Sequence, residues 1–135
     1  MNLIFESVTE RLIPVTTTDV ATITIYQKPT CTMCRQVYTA LKNSGVDFDA
    51  VDYYLDPIPR TKLIELLRKM GMKPHELLRT KEPLYRDLKI GQRQLSDDQV
   101  VDLMVSHPDL IQRPIVEKGS RAILARPADR VKEIL

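Results

Sequence analysis

The sequence predicts an α/β fold on a mixed four-stranded sheet, ordered as β-α-β, a helical insertion, then β-β-α. Three observations carry this expectation. Within residues 21–54 a β-branched run, a helical stretch and a second β-type run follow one another. Residues 57–110 hold apolar residues at helical spacing, interrupted by prolines. From Pro114 onward, PIVEKG and RAILAR flank a glycine as a tight hairpin would, and PADRVKEIL follows.

Each element has its own signal. ATITIY (21–26) alternates Thr with Ile and reads as a strand. Lys28-Pro29-Thr30 breaks it, and a helix is expected from about Cys31 to Asn43, with Thr30 as N-cap and Gly45 as stop. DFDAVDYY (47–54) is the second strand. Strand–helix–strand over so short a span implies a right-handed parallel crossover. DPIPR (56–60) is a turn, and TKLIELLRKM carries Leu63, Leu66, Leu67 and Met70 on one helical face before Gly71. PHELLR, EPLYRDL and SDDQVVDLMVSH continue as broken helices. In the last of these, Ser96 and Gln99 form a capping box, with Asp97 and Asp98 at the positive helix end. Pro127 suits the first turn of a closing helix that puts Val131 and Leu135 on one face. This order resembles the thioredoxin-like plan. Residues 21–135 are read as that domain, with the helical insertion at about 57–110, and residues 1–20 as an N-terminal extension of no assignable role.

Composition narrows the function classes. A chain of 135 residues suits one domain with a real core. A net charge of +2 without a Lys or Arg cluster argues against direct binding to a nucleic-acid backbone. No apolar stretch approaches the roughly 18 residues of a membrane helix. Glu6 and Glu10 interrupt the N-terminal segment, so no export signal is expected. Two cysteines without such a signal fit the reducing cytoplasm, where a close pair is more often catalytic or metal-binding than a structural bridge.

Those two cysteines, in KPTCTMC, are the only ones in the chain. Three readings stay open. Zinc would need two further ligands, and His75 and His107 stand at separations unlike standard finger spacing. An inert buried pair is possible because cysteine packs as a small hydrophobe. The third reading is redox or nucleophilic work. A helix N-terminus has partial positive charge and unsatisfied N–H groups, which favour a thiolate. Cys31 stands at that end and is the expected nucleophile, its pKa lowered from about 8.5 toward neutrality. Cys34 lies nearly a turn deeper, placed to resolve a Cys31 adduct as a disulfide. Arg35 is a nearby cation of the kind usually solvated. Neither His75 nor His107 has an arguable catalytic role; His107 precedes Pro108 at a helix end, where capping is the expected job.

Three arginines then become informative. Arg113 precedes Pro114 at the start of the third strand, a bond that the resemblance to the thioredoxin-like plan implies is cis. Arg126 is expected to end the fourth strand, and Arg79 closes LLR in the insertion. Alone, each would be read as a surface ion pair worth under about 1 kcal/mol. Converging together, they could bind a tetrahedral oxyanion bidentately.

KPTCxxC after a strand, LLR followed by EPLYRDL, LIQRPIV and the closing LARPADRVKEIL together resemble the glutaredoxin-coupled arsenate reductase family, which also includes the Spx regulators. The resemblance spans about residues 22–135. It implies thiol-dependent reduction of arsenate to arsenite, with no bound cofactor and with glutathione or thioredoxin as reductant. Carried over, Cys31 matches the nucleophile, and Arg79, Arg113 and Arg126 match the oxyanion-binding arginines. The implied partners are arsenate or a similar oxyanion, and glutaredoxin or thioredoxin. Two positions depart from the reductase pattern. Gln27 stands where a histidine is usual, and Cys34 where a serine is usual. Cys34 keeps two alternatives in view: an Spx-like redox switch that binds RNA polymerase, and a general thiol-disulfide oxidoreductase.

Overall fold

The computed structural model describes residues 22–135. The expected N-terminal extension, residues 1–20, lies outside the described residues. β1 (Ile23–Gln27) leads to α1 (Thr32–Asn43) and β2 (Phe48–Asp52). Four helical segments follow: α2 (Arg60–Met70), α3 (Pro74–Leu77), α4 (Pro83–Asp87) and α5 (Asp97–Ser106), with 3₁₀ turns at Ile90–Gln92 and Pro108–Leu110. A hairpin of β3 (Ile115–Lys118) and β4 (Arg121–Leu124) precedes a last 3₁₀ segment, Ala128–Glu133. The sheet order is β2-β1-β3-β4. β1 runs parallel to β2, from Ile23 opposite Phe48 to Gln27 opposite Asp52, and antiparallel to β3, with Tyr26 opposite Ile115. This is the α/β thioredoxin-like architecture expected, with its sheet mixed as predicted.

Alternation along β1 explains the two cores. Successive side chains in a strand point to opposite faces. Ile23 and Ile25 face α1, meeting Val37, Leu41, Val116, Val131 and Ile134. Tyr26 faces the other way, into a cluster with Leu63, Leu66, Leu77, Met104 and Ile115. The helical insertion thus covers one sheet face, while α1 and the C-terminal segment cover the other.

Local chemistry sets the boundaries. Gly71 ends α2 at φ 66°, and its N–H donates to the Arg68 carbonyl at 3.1 Å. Ser96 and Gln99 form the expected capping box of α5, at 3.2 and 2.9 Å. β2 ends earlier than the run through Tyr54 implied. Asp52 Oδ1 accepts the Tyr54 N–H at 3.0 Å, while the Asp52 carbonyl accepts Leu55 and Asp56 N–H groups. This side-chain turn ends the regular pairing: the Tyr53 N–H still donates to the Gln27 carbonyl at 3.2 Å, and Tyr54 leaves the ladder.

Three further expectations are corrected. Thr30 is not the N-cap of α1. A turn closed by Cys31 N–H to the Lys28 carbonyl, 2.9 Å, delays the helix by one residue, and Cys31 caps it in extended conformation. The C-terminal segment is 3₁₀ and starts after Pro127. With three residues per turn, Val131 and Ile134 share the buried face and Leu135 is exposed. β4 stops at Leu124, so Arg126 stands two residues past the strand.

Candidate active site

The first turn of α1 presents Cys31. Its sulfur accepts the Cys34 backbone N–H at 3.4 Å, so a helix-terminal donor is spent directly on the thiol. Both cysteines are free; Cys31 is partly exposed and Cys34 fully buried. Burial pushes the Cys31 thiol up, but the Cys34 N–H, the Cys34 side chain and the Arg113 guanidinium outweigh it and hold the pKa below the ordinary thiol value. Burial, with the neighbouring Cys31, pushes Cys34 up to about 12. The two sulfurs are therefore driven apart chemically. The outer is biased toward thiolate, and the inner is held as thiol.

A pocket of about 330 Å³ opens over Cys31, and Arg79, Arg113 and Arg126 all line it together with Thr32 and Gln36. The three arginines come from separate parts of the chain and converge as the sequence suggested. Arg113, only 8% exposed, follows the Pro108–Leu110 turn and precedes a cis bond to Pro114. The bond from Arg126 to Pro127 is also cis, which was not foreseen. Arg126 is exposed and donates from Nη1 to the Arg113 carbonyl at 2.8 Å. Arg79 Nη1 donates to the Asp109 carbonyl at 3.0 Å and pairs with Glu82 at 3.0 Å.

Arg113 is the most confined of the three. Its Nη1 donates to the Tyr54 hydroxyl at 3.3 Å. Its Nε is buried without a hydrogen-bond partner. An unpaired buried guanidinium N–H is costly unless a ligand takes it. Burial would lower the Arg113 pKa, but Tyr53, Tyr54 and Cys31 raise it overall, so the charge is retained.

The other sequence-marked residues lie apart from this pocket. Arg35 is exposed and donates to the Thr30 carbonyl at 3.0 Å. Thr30 itself is exposed in the loop before Cys31. Gln27 is buried at the end of β1, 6% exposed. His75 is 3.8 Å from Asp97, and His107 is the C-cap of α5, its N–H on the Leu103 carbonyl. Among the described residues no three His, Cys, Asp or Glu converge as a metal cluster. No helix there is long and apolar enough to cross a membrane.

Sequence reasoning missed Tyr53, Tyr54 and Asp109. Tyr53 is fully buried and donates to the Ile111 carbonyl at 3.0 Å, under the loop that carries Arg113. The available signal was position: both tyrosines follow a parallel strand at its C-terminal end, where α/β sheets gather ligands.

Comparison with known proteins finds similar sequences and similar solved structures. An uncharacterised protein of Escherichia coli K12, YfgD, is 36% identical over 84% of this chain and 96% of its own. An arsenate reductase of the same strain is 36% identical over 84% of this chain and 80% of its own. The solved structure of an arsenate reductase from Vibrio cholerae superposes with a TM-score of 0.81 at 34% identity, covering 86% of this chain and 99% of that one. The family model that matches, over residues 26–134, is that of ArsC, and this chain belongs to the ArsC family.

Proposed function

We propose that this protein is a thiol-dependent reductase that converts arsenate to arsenite through a thioarsenate ester on Cys31. The observation that carries the reading is the pocket over Cys31. A sulfur held toward thiolate faces three arginines, one of them buried with a free Nε. Arginine keeps its charge and offers a planar fork to a tetrahedral oxyanion.

The Cys31 thiolate attacks arsenic of dihydrogen arsenate. One arsenate hydroxyl takes the proton of the other and leaves as water, and an S–As bond replaces the As–O bond. Arg79, Arg113 and Arg126 offset the charge on the remaining oxygens as it develops. A second thiol then attacks the Cys31 sulfur. The S–As electron pair stays with arsenic, reducing it from As(V) to As(III), and the thiol proton passes to an arsenite oxygen. Cys31 is left in a mixed disulfide.

Glutathione is the second thiol in this reading, and glutaredoxin then reduces the mixed disulfide. Two features support an external thiol. Cys34 is fully buried and largely protonated at neutral pH. A polar cleft of about 400 Å³ adjoins the pocket, shares Arg79 and Arg126 with it, and adds Thr80, Lys81, Glu82 and Gln112; its three cations against one carboxylate suit the carboxylates of glutathione. The named relatives support this enzyme over an Spx-like regulator binding RNA polymerase. Two free cysteines fit work in the reducing cytoplasm.

The test is arsenate-dependent oxidation of glutathione by wild type and Cys31→Ser, with glutaredoxin present. Turnover is expected in wild type and absent in the variant. Equal rates in both would remove Cys31 as nucleophile.

A further inference from the structure

The turn that ends β2 delivers Tyr54 to the back of the arginine pocket, and the reaction above makes no use of it. The ring packs against the loop that carries Cys31, with Lys28 Nζ 4.4 Å from its centroid. Arg113 Cζ lies 5.7 Å from the same centroid. The Tyr54 hydroxyl has one proton, and it is donated to Asp109 Oδ1 in the Pro108–Leu110 turn. Its lone pair therefore faces the other way and accepts Arg113 Nη1 at 3.3 Å. The direction of donation is fixed along the chain of contacts: Arg113 to Tyr54, Tyr54 to Asp109. Burial and the bond to Asp109 raise the Tyr54 pKa above the ordinary phenol value, so the hydroxyl stays protonated and the polarity does not reverse.

Among the described residues no carboxylate pairs with Arg113; the ion pairs there engage other cations. Its guanidinium donates to the Tyr54 hydroxyl, and among the described residues its Nε is unpaired. The same short turn also receives Arg79, through the Asp109 carbonyl. We infer that Tyr54 and Asp109 are positioning residues that hold the Arg113 guanidinium against the Cys31 sulfur and thereby set the reactivity of that thiol. The inference rests on Cys31 being the nucleophile, but not on arsenate being its substrate.

Cys31 is faced by Cys34 from α1 and by Arg113 from the segment before β3, with Arg79 and Arg126 lining the same pocket. Tyr54 is faced by Lys28, Tyr53, Asp109 and Arg113. Removing the Tyr54 hydroxyl leaves all these charges in place and takes away both the acceptor that aims Arg113 and the donor to Asp109. The experiment follows alkylation of Cys31 by iodoacetamide against pH in the full chain, read by peptide mass spectrometry. In Tyr54→Phe the alkylation midpoint is expected to rise by about half a pH unit or more, so the rate at pH 7 falls about threefold. The kcat/KM for arsenate is expected to fall about five- to tenfold. Asp109→Ala is expected to reproduce Tyr54→Phe. Asp109→Asn, which can still accept the phenol proton, is expected to give a smaller change. A merely structural role would lower the melting temperature and leave the alkylation midpoint where it was. An unmoved midpoint in both Tyr54→Phe and Asp109→Ala would overturn the inference, and the Asp109 variants carry the test if Tyr54→Phe does not fold. Wild type inactive on arsenate would sink the proposed reaction, while the alkylation profile would still decide the relay.

Discussion

Arg113→Lys separates charge from geometry in the pocket over Cys31. It keeps a positive charge in the pocket while removing the planar fork. Arg113 is 8% exposed, donates to Tyr54 at 3.3 Å and keeps a buried Nε without a hydrogen-bond partner. A lysine in that channel supplies a point charge, and neither the Nε donor nor the bidentate geometry survives. A hydrogen bond to a charged group contributes about 1.5–3 kcal/mol, and loss of one preorganised oxyanion donor costs about 2.7–4 kcal/mol. Taking about 3 kcal/mol, kcat/KM for arsenate is expected to fall about 100-fold. The assay is steady-state turnover with glutathione and glutaredoxin, arsenate varied, oxidised glutathione read through a coupled reductase. Most of the loss should sit in kcat, because the charge developing on the oxyanion is what the fork stabilises. Circular dichroism melts check that the variant is folded. A folded variant within about threefold of wild type would refute the reasoning, because net charge rather than geometry would then suffice.

Other outcomes follow from the same structure. Cys34→Ser should keep most turnover with glutathione and glutaredoxin but lose any turnover driven by thioredoxin alone, which parallel assays with the two reductant systems would show. Lys81→Glu, in the cleft beside the pocket, should raise the KM for glutathione severalfold with the KM for arsenate unchanged, measured by varying each substrate in turn. Glu117→Gln should destabilise the fold by about 3 kcal/mol, because Lys62 and Lys69 donate to this buried carboxylate, as does Tyr26 at 3.1 Å; thermal or urea unfolding measures it. Burial raises the Glu117 pKa, but bonds from Lys62, Lys69 and Tyr26 outweigh it and bring the value below the ordinary carboxylate range. Its stabilisation is thus present above the unfolded carboxylate pKa and is lost as pH falls through the lower folded value. Wild type should lose stability faster than Glu117→Gln on acidification below about pH 4.

Much of the fold was legible because its signals are local. The β-branched run of β1, the leucines of α2 and the Ser96–Gln99 box are each complete within a few residues, and the structure places them nearly where the pattern did. Boundaries failed where one hydrogen bond decides them. The Lys28–Cys31 turn moved the cap of α1 from Thr30 to Cys31, and Asp52 ended β2 before the tyrosines. The C-terminal segment failed differently: 3₁₀ and α spacing both bury Val131, and only the next apolar contact, Ile134 or Leu135, tells them apart. At the site, the arginines could be read because each adjoins a recognisable marker, a proline or the LLR motif. Tyr54 and Asp109 could not, since they are 55 residues apart and their bond exists only once the insertion packs against the β2 turn.

The central claim is that Cys31 is the sulfur that arsenate meets. The measurement that tests it most directly is the rate of Cys31 alkylation at pH 7 as arsenate is raised, in the full chain with no reductant present. The account predicts saturable protection by arsenate that weakens in Arg113→Lys. Alkylation at the pace of an ordinary free cysteine, indifferent to arsenate at every concentration, would contradict it.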